Sequence, residues 1–503
     1  MHIFPSEGTV DEEDDLIAQG GTTSTLWLGL ETSRELRHWL PWEQDPEDCE
    51  DPDRMVPLDE LSPHLFTLNS DEEKFYLVLQ FFRFLGVPDI EDSSCQGLPS
   101  PKNPRSLSNK TGDVFRPLVI ETLSDANLFG NHFHQKLNDA DKNFLSFEAV
   151  GPSVSTPTCD AYYQFLCRAL QQAANVFELQ HRRYLTLLHI KLQGTHYQAK
   201  VLTGNEATLK SLGKEIKKEV KSILKSEEFR TCLPVYQEYG KVEETMGHVT
   251  EAENVYVTAL IVGTASGKAL EPNNEDFRAV MDLSFSYIHL EMGQEIKSCT
   301  GYHSNNILQS VCSLVNEGKF AAPDGSLPLG GNLLKAKKKL LHLQNHHSLS
   351  VIDMSNSDTQ KEKEKILAIK AVTFLALIQL FTIGFRPACL VFESTIEKVS
   401  EAADLKLEDT PLPSVNKTNA RNTKNDHTKT IKAKILECLY EDYLWIIEAS
   451  GRLGHLVKDG SMSPVCLRSV ITAALKAAPE NPRFLLLLAQ NQVKLLTYLK
   501  VTV

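Results

Sequence analysis

The segment that most limits what this chain can fold into runs from Leu233 to Leu260. Its first half, Leu233-Pro-Val-Tyr236-Gln-Glu-Tyr239-Gly240-Lys-Val-Glu243, sets aromatics three apart, the spacing of one helix face. Gly247 then interrupts the pattern. The second half places Ala252, Val255, Tyr256 and Ala259 at i, i+3, i+4 and i+7, a stripe of small and apolar residues. One such helix pair cannot bury its own apolar face, so it implies stacked copies. Stacked helix pairs make scaffolds that bind other macromolecules and seldom perform chemistry themselves.

Looser copies follow. Leu283, Tyr287, Leu290 and Glu291 within 277–292 echo Leu233, Tyr236, Tyr239 and Glu243. Further helices are expected at 307–314 and 333–343. The stretch 361–383 and a helix from about Pro387 form a pair broken at Gly384, and 431–450 with 464–478 form another. A lone helix, 484–498, opens with four leucines at 485–488 and reads either as the start of an incomplete pair or as a helix that docks back on the body. Upstream, Asp160 is positioned to cap one long helix through Leu192. A basic helix covers 207–226, with Lys210, Lys214, Lys217, Lys218, Lys221 and Lys225 opposite Ile216, Val220, Ile223 and Leu224. The best-marked helix starts at the capping box Ser70/Glu73 and stops at Gly86 and Pro88. Phe75, Leu79, Phe82 and Leu85 share one of its faces, broadened by Tyr76, Phe81 and Phe84, an aromatic surface expected to be buried.

Strand alternation is almost absent, so the expected fold is all-α: an α-solenoid of helix pairs with disordered linkers. The expected organisation is a disordered acidic start (1–24), a first helical repeat region (25–88), a linker and irregular region (89–158), central repeats (159–400), a disordered basic linker (401–430) and C-terminal helical repeats (431–503), the last incomplete.

At 503 residues, the chain exceeds one ordinary domain core. Its net charge of −14 argues against a general nucleic-acid grip and favours protein partners. The ten cysteines are scattered without a C-x-x-C, which suits a reducing compartment. The acidic N-terminus lacks the basic start and apolar run of a signal peptide. The longest uncharged apolar stretch, 371–385, is shorter than the roughly 20 residues that cross a bilayer.

The sequence carries no complete motif for chemistry. Gly263-Thr-Ala-Ser-Gly267-Lys268-Ala269 is one residue short of a phosphate loop, has Ala269 where a hydroxyl should bind Mg²⁺, and follows a helix instead of a strand. His132/His134 and His346/His347 lack ligand partners at metal spacing. The carboxylates of 43–60 lack the spacing and central Gly of a calcium loop. In the basic helix no aromatics alternate with the lysines, and Glu215 and Glu219 lie at pairing distance from Lys218 and Lys221, the pattern of a solvated face; contact with RNA or an acidic protein is the sharper alternative. No catalytic, cofactor or metal residue is assigned, no particular surface is assigned to binding, and no membrane is implied.

Two resemblances add to this. The 233–260 pair resembles the half-a-TPR repeat of RNA-processing scaffolds. Trp39-Leu-Pro-Trp42, then Glu47-Asp-Cys-Glu-Asp-Pro-Asp-Arg54 and Val56-Pro-Leu-Asp-Glu-Leu61, continued by Phe84-Leu-Gly-Val-Pro88, resemble the nuclear-RNAi-defective family, the nuclear exosome regulators. That resemblance implies a nuclear, non-enzymatic scaffold, with nuclear-speckle association, that partners the exosome-linked RNA helicase and RNA-processing proteins. It implies restraint of RNA degradation and a part in small-RNA-guided silencing. The family's helicase-docking segment lies in a long N-terminal region with no counterpart here, so the sequence looks like a partial or short form. A repeat scaffold of a splicing or 3′-end-processing complex is the alternative, since the half-a-TPR pattern is shared with those factors.

Overall fold

The computed structural model describes residues 62, 67–85, 87 and, between 160 and 501, all but 204–205, 347–358, 409–417, 454–456, 459–461 and 480. The chain divides into two compact units, one of residues 1–78 with 136–159 and one of 79–135 with 160–503. Among the described residues there are fourteen helices and no strand. They are Asp71–Phe84 (α1), Asp160–Val176 (α2), Leu179–Thr203 (α3), Glu206–Lys225 (α4), Leu233–Thr245 (α5), Val249–Gly263 (α6), Phe277–Ser298 (α7), Tyr302–Glu317 (α8), Gly330–His346 (α9), Thr359–Thr382 (α10), Phe385–Glu408 (α11), Thr418–Leu453 (α12), Pro464–Ala477 (α13) and Pro482–Val501 (α14).

In the smaller unit the described part is the start of α1. Its capping box is formed as the sequence predicts: Glu73 N–H donates to Ser70 Oγ at 3.1 Å, and Ser70 N–H donates to the Glu73 carboxylate at 3.4 Å. Phe75, Leu79 and Phe82 are buried. The expectation that the whole aromatic surface is covered fails: Phe81 is 50% and Phe84 74% exposed, because they lie round the helix from that buried row.

The larger unit is a helical-repeat solenoid. Neighbours in sequence pack in pairs: α2 on α3, α5 on α6, α7 on α8, α10 on α11 and α13 on α14. Helices also pack across the pairs, α3 on α5, α5 on α7, and α7 and α10 on α12, while α9 joins α8 to α10. One continuous core runs from Leu233 to Phe484, with Tyr256, Phe277, Tyr287, Phe374, Phe392, Tyr443 and Phe484 fully buried along it.

Several boundaries differ from the sequence reading. The long helix expected over 160–192 is two helices. Arg182 reaches back from α3 to the end of α2, its Nε donating to the Ala174 carbonyl at 3.1 Å and Nη2 to the Phe177 carbonyl at 3.4 Å, so the α2 C-terminus is capped by a side chain of the next helix. The linker expected at 401–430 is helical at both ends, since α11 runs to Glu408 and α12 begins at Thr418. Its lysine- and asparagine-rich composition looks like linker, yet Lys, Arg and Ala sustain a helix once an apolar face such as Ile435, Leu439 and Tyr443 anchors it. The C-terminal helix is not alone: α14 packs on α13, Asn491 donates to the Pro464 carbonyl at 3.0 Å, and Phe484 is fully buried.

Helix α10 contains the apolar stretch. Residues 363–382 are long and apolar enough to cross a membrane, but 67% of that window is buried inside the protein. Val372, Phe374, Ala376 and Leu377 form the middle of the core. Gly384 ends the helix at φ +143°, and a Cβ there would meet the Lys458 carbonyl oxygen at 2.9 Å, so the α10–α11 turn requires glycine.

Candidate interaction surface

The diagnostic pair α5–α6 is held by buried acids. Glu243, 1% exposed, lies one turn after Tyr239, whose hydroxyl donates to it at 2.6 Å. Lys217 of α4 reaches the same carboxylate at 2.7 Å, and His248, at the start of α6, contacts it at 3.1 Å. One side chain thus ties α4, α5 and the α5–α6 turn together. Beside it, Glu244 accepts from the Tyr256 hydroxyl. Burial pushes the Glu244 carboxyl up to about 7, against the opposing pull of Tyr256 and Lys241.

The next pair repeats the buried acid and its histidine contact, without the tyrosine hydroxyl bond. Glu291 follows Tyr287 by one turn and contacts His303 Nδ1 at 2.9 Å, while Asn306 donates to it at 2.9 Å. The true register of the repeat therefore matches Tyr287 to Tyr239 and Glu291 to Glu243, closer than the loose echo suggests. Glu295 accepts from the backbone N–H groups of Gly301 and Ser304 at 2.6 and 2.7 Å, a carboxylate placed on the positive start of α8. Further along, Lys370 of α10 lies 3.3 Å from Asp442 of α12 and 4.1 Å from the Phe285 ring centre of α7. Burial draws the Lys370 ammonium down, but Asp442 and Asp282 outweigh it and hold it above its ordinary value. His289 stacks on Trp445 at 4.1 Å. These groups join helices to one another. Among the described residues no cluster of His, Cys, Asp or Glu is arranged to hold a metal ion.

The phosphate-loop lookalike is a packed turn. Gly263 abuts Leu233, Ala269 is fully buried and donates its N–H to the Gly318 carbonyl at 3.2 Å, and Thr264 Oγ1 accepts from Phe320 N–H at 2.8 Å. The seven described cysteines are unpaired thiols. His132, His134, His347 and the acidic 43–60 segment lie outside the described residues, as does the side chain of His346.

The basic helix α4 is built differently from the expected solvated face. Gly213, Ile216 and Val220 are its buried residues. Glu219 turns inward, accepting from Gln171 at 2.8 Å and from Gln193, instead of pairing with the neighbouring lysines. It borders an open groove of about 220 Å³ between α2 and α4, lined by Tyr163, Cys167, Arg168 and Glu215 among others. Lys214, Lys218, Lys221 and Lys225 project to solvent on the other flank, none with an ion pair among the described residues, whereas Lys210 pairs with Glu206 at 2.6 Å. Segregation of lysines from carboxylates leaves a positive stripe on a chain of net charge −14.

Comparison with known proteins places this body in context. Residues 5–90 match the family model described as "NRDE-2, necessary for RNA interference", a range that holds the 39–61 segment and α1. Over 403 residues the chain is 26% identical to nuclear exosome regulator NRDE2 of Homo sapiens, covering 75% of this chain and 31% of the relative. The Mus musculus protein of the same name is 26% identical over 479 residues, 87% of this chain and 36% of its own length. The comparisons support the NRDE2 family. The chain spans about a third of the length of these curated NRDE2 relatives. No solved structure matches it. Both relatives are named nuclear exosome regulators.

Proposed function

We propose that this chain is the helical-repeat body of a non-enzymatic nuclear scaffold that regulates RNA surveillance. In this reading it associates with the exosome-linked RNA helicase and with RNA-processing proteins, and restrains RNA degradation. A part in small-RNA-guided nuclear silencing belongs to the same reading. The observation that carries it is the likeness to two nuclear exosome regulators across 75% and 87% of the chain, a span that takes in the stacked helix pairs. Repeat stacks offer extended surfaces to partners, which suits a regulator acting by contact.

Affinity capture of the chain from nuclear extract, with mass spectrometry and with the full human relative alongside, tests this. Recovery of exosome or helicase components supports the proposal. Their absence from the chain's capture, when the human protein retains them, removes it for this body. Spliceosomal or cleavage-factor proteins in their place would make it a scaffold of splicing or 3′-end processing.

A further inference from the structure

Helix α9 and the extended segment before it present a face that no other described residue covers. Leu327 and Leu329 are 64% and 76% exposed, and Leu334 and Leu341, two turns apart on α9, are 55% and 41% exposed. The opposite side of α9 is anchored: Ala336 and Leu340 are buried, and Gln344 donates to Thr395 of α11 at 2.8 Å. The leucines are therefore surplus to the core. Lys335, Lys338 and Lys339 project around them, exposed and without an ion pair among the described residues.

Two properties select the occupant. Several leucines on one short stretch call for apolar contact, which a phosphate backbone does not offer. The unneutralised lysines beside them call for carboxylates, and no aromatic stands among them to stack a base. The α4 stripe is the internal contrast, with lysines but no exposed leucine.

We propose that the α9 face is a docking site for an acidic amphipathic helix of a partner protein, its leucines seated against Leu334 and Leu341 and its glutamates against the lysines. A second copy of the chain would bring the same positive face and the same net charge of −14, so charge argues against it. The inference does not depend on the family reading.

The test is fluorescence anisotropy of the full chain with a labelled peptide of Leu-Glu-Glu-Leu-Leu-Glu-Glu heptads. Saturable binding is expected, weakened about tenfold by Leu334→Glu with Leu341→Glu, and by a similar factor by Lys335→Glu with Lys338→Glu, the second pair also flattening the salt dependence. Lys214→Glu on α4 is expected to leave it unchanged, and circular dichroism checks that each variant keeps its helix content. No binding, or binding indifferent to both pairs of substitutions, overturns the proposal. Equal displacement by poly(U) RNA would make the face a phosphate contact. Sedimentation showing that the leucine variant breaks a dimer would make it a self-association face. Either result also overturns it.

Discussion

Gly240 shows how tightly single residues are constrained in the α5–α6 pair. A Cβ there would lie 2.0 Å from Tyr256 Cε1, and the Tyr256 ring, fully buried and bonded to Glu244, has nowhere to go. Gly240→Ala is therefore expected to cost about 3 kcal/mol, the overpacking cost outweighing the gain in helix propensity. Gly213 of α4 is the control, since its Cβ would meet Met246 and Tyr197 at 3.5 and 3.6 Å, ordinary contact. Gly213→Ala should stabilise by about 0.5–1 kcal/mol, and urea titration of both variants checks the pair. Glu244 supplies a pH signature. Its folded value, raised to about 7 from an unfolded 4.5, means that the folded chain holds a proton the unfolded chain has released. Its contribution is fully present below pH 4.5 and is lost as pH rises to 7. Glu244→Gln, which keeps an acceptor for Tyr256, should thus match the parent near pH 4.5 and melt above it at pH 8. Equal melting of variant and parent at both pH values would remove the Glu244 account.

At the scale of the helix, α4 separates two kinds of lysine. Lys217 is structural because Glu243 is buried against it at 2.7 Å, so Lys217→Met should cost about 2 kcal/mol by removing one of that carboxylate's partners. Lys214 has lysines one turn away on both sides, at 210 and 218, so Lys214→Glu should gain up to about 1 kcal/mol through i,i+4 pairs. Thermal melts of the two variants moving in opposite directions are the expected outcome. The lysine pattern was legible in the sequence, and so were the α1 capping box, the α5–α6 break and the stop at Gly384, because each is written in local spacing. What could not be read was decided by side chains from other elements. Arg182 splits the long helix expected over 160–192 by reaching back to α2. Glu219 looks like part of the solvated charged face until Gln171 and Gln193 take its carboxylate. Glu243, Glu291 and Glu295 have the composition of surface residues and become buried only when the following helix delivers His248, His303 and the α8 N–H groups. The Tyr-x-x-x-Glu recurrence at 239/243 and 287/291 was the signal that would have found the first two. The leucines of α9 carried no such mark, since periodicity alone does not say which side of a helix a neighbour covers.

In the larger unit as a whole, contacts run between neighbouring helices, so stability should be a sum of local terms coupled through few bridges. Lys370 is such a bridge, since it meets Asp442 of α12 at 3.3 Å while covering Phe285 of α7. Thr373 donates to the same Asp442 carboxylate at 2.7 Å. Asp442→Asn keeps an oxygen for Thr373 but removes the charge that offsets the burial of Lys370. The expected cost is about 2–3 kcal/mol, below the full figure for a buried pair because both partners keep some solvent contact. In a chain held by neighbour contacts this loss should stay local. Hydrogen–deuterium exchange read by mass spectrometry is expected to speed up in α7, α10 and α12, while α4, α5 and α6, tied by Glu243, keep their protection. Acceleration spread evenly over all helices would show one cooperative unit and defeat the additive picture. Local loss would show that the scaffold can loosen one repeat while its other surfaces remain formed, the property a regulator that works by contact requires.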